Sequence, residues 1–362
     1  MKQRIITSVI TLSLLATSSV WGQTTVIKRN SSNKQAKNIY ASACWSWTNE
    51  FHEGLAMVCH QNGKCGFVDK TGKLIIPCKW EWAGDFSEGL AAVSIENKCG
   101  YIDKTGTVVI PCKWKNAKPF YEGLAAVKDQ EDRWGFIDKT GTMVIPCKWK
   151  SKGIEYPYFH DGLACVMDDN DQYGFIDKTG ATVIPNKWYY ARPFHDGLAL
   201  IRNGKIGFID KEGKIVIPCT WDNSSTASFS DGLVRVKDEN GKYGYIDKTG
   251  SVVIPCKWKS ANSFSEGLAC VEDENGKYGY IDKTGEIVIT CKWNGASGFS
   301  EGLSGVKDEK GNWGYIDKTG TLVIPCKWRD AHSFSEGLAW VCDSGGENGR
   351  YFIINKQGQI VK

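Results

Sequence analysis

The stretch CKWKSANSFSEGLACVEDENGKYGYIDKTGEIVI, Cys256 to Ile289, decides the fold, because close copies of it follow one another along the chain. Leu268 to Glu272 is a half-apolar run, and Asn275-Gly276 after it is the dipeptide whose positive φ angles suit a tight hairpin turn. Tyr278 to Asp282 then reads as a second strand. Asp282-Lys283-Thr284-Gly285 puts an acid first and a glycine last, the chemistry of a type I turn followed by a bulge. Glu286 to Trp293 reads as a third strand and completes a meander. In the equivalent stretch one unit earlier, Ser251 to Trp258, alternation places Val252, Ile254, Cys256 and Trp258 on one side, which is the predicted core face. Pro255 removes a ladder donor, so it and its counterparts Pro77, Pro111, Pro146, Pro185, Pro218 and Pro325 belong at an edge or at a strand end.

One such three-stranded sheet has a single apolar face and is not stable alone in water, so neighbouring copies must cover it. Marked at Cys44, Cys78, Cys112, Cys147, Asn186, Cys219, Cys256, Cys291 and Cys326, the copies are spaced by 34, 34, 35, 39, 33, 37, 35 and 35 residues. Phe-x-Glu/Asp-Gly-Leu occurs nine times, with its glycine at Gly54, Gly89, Gly123, Gly162, Gly197, Gly232, Gly267, Gly302 and Gly337. Forty glycines beside fifteen tryptophans in 362 residues fit many short strands joined by tight turns. The formal charge is only +4, and acids alternate closely with bases, as in Asp247-Lys248, which excludes a dedicated nucleic-acid face.

These motifs resemble the WG-repeat proteins. The correspondence rests on Phe264-Ser265-Glu266-Gly267-Leu268-Ala269, Tyr278-Gly279-Tyr280-Ile281-Asp282-Lys283 and Val253-Ile254-Pro255, with the literal Trp-Gly pair at Trp134-Gly135 and Trp313-Gly314, and it runs from Cys44 to Lys362. The resemblance implies a bacterial all-β repeat protein of a kind often exported, with no family-wide catalytic residues and an interaction role. Lys-Trp stands here where that family more often has a tyrosine and an acid, and the run of cysteines is a second departure.

Upstream of the repeats, Lys2 and Arg4 followed by the apolar run Ile5 to Ala16 and the small-residue region before Gln23 read as an export signal over residues 1–22. The run is too short to span a bilayer. Residues 23–43, rich in Ser, Asn, Lys and Thr, read as a flexible leader, leaving 44–362 for nine repeats.

A residue present in every copy is most simply explained by the fold of the copy itself. Both ladders of acids, one at Glu53, Glu88, Glu122, Asp161, Asp196, Asp231, Glu266, Glu301 and Glu336 and the other at Asp69, Asp103, Asp138, Asp177, Asp210, Asp247, Asp282 and Asp317, are therefore read as turn caps rather than calcium ligands. The eight stacked cysteines, Cys44, Cys78, Cys112, Cys147, Cys219, Cys256, Cys291 and Cys326, are read as buried free thiols; no Cys-x-x-Cys spacing suggests zinc. The tryptophans that follow, Trp45, Trp80, Trp114, Trp149, Trp188, Trp221, Trp258, Trp293 and Trp328, are read as core rather than as a stripe for sugar stacking. No catalytic constellation recurs, and neither a cofactor nor a metal is expected.

Function is sought where copies differ. The fourth unit carries extra residues, Gly153 to Pro157, in an aromatic and polar neighbourhood: Tyr156, Tyr158, His160, Tyr189, Tyr190, Arg192 and His195. Insertions in repeat arrays fall on loops of one face, and tyrosine with arginine is favoured in interface hot spots, so these seven residues are the candidate partner-binding site. The expected architecture is an open β-solenoid or superhelix of nine three-stranded meanders, with a closed propeller-like ring as the alternative. Phe352 in place of glycine and Asn355 in place of aspartate mark the last copy as a cap. The expected function is an exported, non-catalytic scaffold, in the periplasm or at the cell surface, that binds a protein or another component of the cell envelope. A carbohydrate- or cell-wall-binding module is the alternative.

Overall fold

The structure, a computed structural model, describes residues 45–151, 157–222, 228–343 and 350–361. The export signal, the leader, Cys44 and Tyr156 lie outside the described residues.

Each repeat is its own small antiparallel sheet with strands in sequence order, and among the described residues there are nine. In the sheet built on the quoted unit the strands are Ser260–Ala261, Ala269–Glu272, Tyr278–Ile281 and Ile287–Trp293. Seven sheets have four strands and two have three, the sixth and the ninth. The fourth member is the short first strand, contributed by the residues between the tryptophan and the Phe-x-Glu/Asp-Gly motif.

The nine sheets form a closed nine-bladed β-propeller, not the open superhelix expected first. Ser87 Oγ donates to the carbonyl of Phe120 in the next sheet at 2.6 Å, and the same bond joins Ser230 to Phe264, Ser265 to Phe299 and Ser300 to Phe334 at 2.7 Å. Ser335 in the ninth sheet makes it at 2.6 Å to Phe51 in the first. The Gly54 N–H donates to Glu336 at 2.8 Å, Lys70 pairs with the same carboxylate at 3.0 Å, and one apolar cluster joins Phe51, Ala56 and Val58 to Trp340 and Ile353. Closure covers the two apolar end faces that an open stack would leave in water. The last copy is therefore no cap but a junction.

Between adjacent sheets the apolar seam is an aromatic pair repeated around the ring. Tyr280 meets Phe299 at 4.9 Å between centroids, Tyr245 meets Phe264 at 4.8 Å, and Tyr315 meets Phe334 at 4.9 Å, all edge to face. Each of these rings is almost wholly buried.

Alternation in the last strand of each sheet is broken by a bulge. Tyr278 faces Trp293 and Tyr280 faces Ile289, so two residues on one strand oppose four on the other. The prolines lie in this outer strand, at the edge as expected. Ile254 and Trp258 stay inside, but Val252 is 53% exposed and Cys256 only half-buried, so the strict alternation that grouped all four does not hold. The described stacked cysteines are free and half-buried, with thiol pKa values raised by burial. Two cysteines outside that stack, Cys59 and Cys65, form a disulfide across the first sheet's hairpin.

The tight two-residue turn falls elsewhere than Asn-Gly. Glu266 and Gly267 have φ of 54° and 86°, both left-handed, so Glu-Gly forms the mirror-image turn that matches strand twist. Asn275 is not left-handed; Gly276 alone is, and its N–H donates to the Asp273 carbonyl, as Gly285 does to Asp282. A glutamate at positive φ is unfavourable. The compensation comes from the next sheet: Glu266 accepts the Gly302 N–H at 3.0 Å and pairs with Lys318 at 3.0 Å, and Glu301 does the same with Gly337 and Lys356. The Glu ladder is thus a circuit of inter-sheet clasps, whereas the Asp ladder caps its own turns: Asp282 accepts from Thr284 N–H, Thr284 Oγ1 and Glu286 N–H.

This circuit makes the ring sensitive to acid. Burial raises the carboxyl pKa of Glu266, Glu301 and Glu336, but the lysine and the glycine N–H together outweigh it and the net shift is downward. A depressed folded-state pKa stabilises the fold above the unfolded value and is lost as pH falls through the folded value. The melting temperature is expected to be flat near neutrality and to fall once pH drops below the ordinary glutamate value of 4.5. Thermal melts across that range check it, and the decline should be smaller in a Glu266→Gln, Glu301→Gln variant.

Candidate functional site

The x of Phe-x-Glu/Asp-Gly is serine in five copies, where it donates to the next sheet as described. It is His52, Tyr121, His160 and His195 in the others. At the third, fourth and fifth sheets aromatic contacts replace the hydroxyl bond: Tyr121 meets Tyr158 at 5.4 Å and His160 meets His195 at 4.1 Å between centroids. Burial, and then the neighbouring His160, holds the His195 imidazole below its usual pKa.

Beside these rings lies a cleft of about 320 Å³. The first strand of the fourth sheet is Phe159–His160, between Asn116–Tyr121 and Tyr190–His195 in the flanking sheets. Cys165 and Met167 of the second strand, Leu163–Met167, form the floor of the cleft with Tyr173. Tyr158, Arg192 and His195 form part of the wall together with Lys150. Lys150 donates to the Asp169 carbonyl at 2.9 Å and lies 3.7 Å from its carboxylate.

Of the seven sequence candidates, Tyr158, Arg192 and His195 line this cleft, and His160 stacks behind it. Tyr190 is a packing residue: it lies against the core, 5.8 Å from Tyr173, with the Arg202 guanidinium 4.7 Å from its ring. Tyr189 faces another cleft, and Tyr156 is outside the described residues. Sequence reasoning missed Lys150, Met167 and Tyr173. Met167 was the readable signal, an apolar residue where Lys128, Lys237 and Lys307 stand in other copies.

The tryptophans do not form a stacking stripe. Trp80 is 2% exposed and Trp149, Trp188, Trp258 and Trp328 are also buried. The preceding lysine covers its tryptophan, with Lys79 at 4.7 Å and Lys257 at 5.1 Å from the ring centroid. Lys-Trp is therefore a cation–π lid on the core. Among the described residues no group of three His, Cys, Asp or Glu is placed to hold a metal, and no helix is long and apolar enough to cross a membrane.

Among solved structures, the chain is similar at 11% identity to the computationally designed Ika8 protein, with a TM-score of 0.48 and coverage of 88% of this chain and 98% of that one. It is similar at 11% identity to BamB from Moraxella catarrhalis, with a TM-score of 0.44 and coverage of 85% and 96%. Against Sqt1 from Saccharomyces cerevisiae the identity is 10% and the TM-score 0.44, with coverage of 88% and 97%. No curated protein matches. The sequence model of the WG containing repeat matches eight times, at 66–99, 100–132, 134–170, 173–205, 206–243, 243–278, 278–311 and 313–346. With the Trp-Gly position held in eight sheets by the outer-strand bulge and most of the chain matched, this propeller belongs to the WG containing repeat family.

Proposed function

We propose that the protein is an exported, non-catalytic scaffold that binds a protein partner in the cleft between its fourth and fifth sheets. The observation that carries this reading is the placement of the cleft: it opens at a stretch where neighbouring copies depart together from the repeat, and tyrosine, methionine and arginine converge there. Such residues, set in a concave and partly desolvated pocket, are what interfaces use as anchors. Regular seams elsewhere in the ring are already satisfied by their own serine and aromatic contacts. Export is supported by the amino-terminal pattern of charge and apolar residues.

The test compares the wild-type chain with a Tyr158→Ala, Arg192→Ala variant as bait in a cell-envelope extract. A protein captured by the first and lost by the second, with unchanged melting temperature, is the expected result. Identical capture by both baits would remove the cleft from the interface. The tryptophan content lends no support to a carbohydrate stripe, because those rings are packed.

A further inference from the structure

The fourth and fifth sheets also meet at the end opposite their Asp-Gly turns, and there an open concavity of about 600 Å³ is built from different residues. Its walls are the turn Asn170-Asp171-Gln172, the strand end Trp188-Tyr189, and Asn203 from the next hairpin. Tyr189 is 70% exposed, far more than any other described aromatic. The equivalent position holds Glu81, Lys115, Lys259, Asn294 and Arg329 in other copies, so the ring is a local departure and not part of the repeat. It is also held in place: the Arg202 guanidinium lies 5.6 Å from its centroid and braces it against Tyr190. A fixed aromatic surface left in water contributes nothing to the fold.

Around that ring stand three primary amides. The side chains of Asn170, Gln172 and Asn203 make no hydrogen bond to the protein among the described residues, although the backbone of Asn170 and of Gln172 is tied to Asp168. Each amide offers a donor and an acceptor side by side, which is what a pair of neighbouring hydroxyls requires. The charged groups at the cleft are Asp171, Lys187, which lies 5.0 Å from the Trp188 ring, and Arg202 beside Tyr189, one acid against two bases. One surplus positive charge in open solvent is too little to select a polyanion, and it disfavours a polycation.

We propose that this second cleft binds a neutral oligosaccharide, with the open face of Tyr189 against the apolar face of a pyranose ring and the three amides on its hydroxyls. The site is independent of the protein-binding cleft, so either can fail alone. Chitotriose, cellotriose and maltotriose at millimolar concentration are the probes, read by saturation-transfer NMR and calorimetry on the whole chain. At least one should bind. Tyr189→Ala should weaken it about tenfold, as expected for loss of an aromatic stacking contact, and Asn203→Ala should weaken it as well. Tyr189→Phe should restore it, while Tyr158→Ala with Arg192→Ala leaves it unchanged. Because Tyr189 is exposed, the melting temperature should not move. No transfer to any of the three sugars, or equal binding by Tyr189→Ala, would overturn the assignment. So would a result in which Tyr189→Ala abolishes protein capture and no sugar binds.

Discussion

Alanine at Gly279 is expected to destabilise the propeller by about 1–3 kcal/mol or more, the cost of forcing extra volume into a packed interior. A Cβ there would lie 2.5 Å from the Ile289 carbonyl oxygen, 2.7 Å from the Cys291 nitrogen and 2.8 Å from its Sγ. Two of these three are backbone atoms of the bulge in the adjacent strand, so no side-chain rotation relieves the clash. The bulge must flatten, which would pull Ile289 and Trp293 out of register with Tyr280 and Tyr278. Urea denaturation followed by tryptophan fluorescence checks the loss. The ninth sheet supplies the internal contrast. Phe352 stands at this position, and there its ring packs against the core with its centroid 6.0 Å from that of Trp328.

Removing the Trp340 indole is expected to cost about 3–5 kcal/mol, as for other large core aromatics cut to alanine. At eight junctions an aromatic of the third strand meets the phenylalanine of the next sheet. At the closing junction Ile353 occupies the aromatic's place, and Trp340 lies parallel to Phe51 instead, 6.2 Å between centroids and 2% exposed. Trp340→Ala therefore empties the seam that joins the last sheet to the first. In a closed ring the damage should be global, with one broad loss of stability and faster proteolysis in both the first and ninth sheets. In an open stack the same change would fray only the terminal copy. Limited trypsin digestion with mass-spectrometric mapping separates the two outcomes.

Much of this was legible beforehand because it is local. The Asp-Lys-x-Gly turn, the Tyr-Gly strand and the edge position of the prolines each follow from a few neighbouring residues, and the structure keeps all three. The errors arose where a second sheet intervenes. Asn275-Gly276 has the better intrinsic propensity for a mirror-image turn, yet Glu266-Gly267 takes it, because the glutamate is compensated by Gly302 and Lys318 from the next sheet. Cys256 shares its parity with Ile254, yet the bulge demanded by close approach to Gly244 turns it half out. The candidate residues belong to one pair of copies, and the structure divides those it describes between two clefts and the core. Tyr189 and Tyr190 are adjacent in sequence and point to opposite environments, as neighbours on a strand must.

By itself, then, the amino-acid sequence determined the unit, its turns, its outer strand and the need for one copy to cover the next, since period-two alternation and turn chemistry act over a few residues. Only the tertiary structure decided that the stack closes, that the glutamates clasp neighbouring sheets, and that residues of the fourth and fifth sheets line a common cleft. Closure depends on the small rotation between successive sheets summed over the whole ring, and no single repeat contains that sum. Both clefts, likewise, join side chains that belong to different copies and meet only once the sheets are packed.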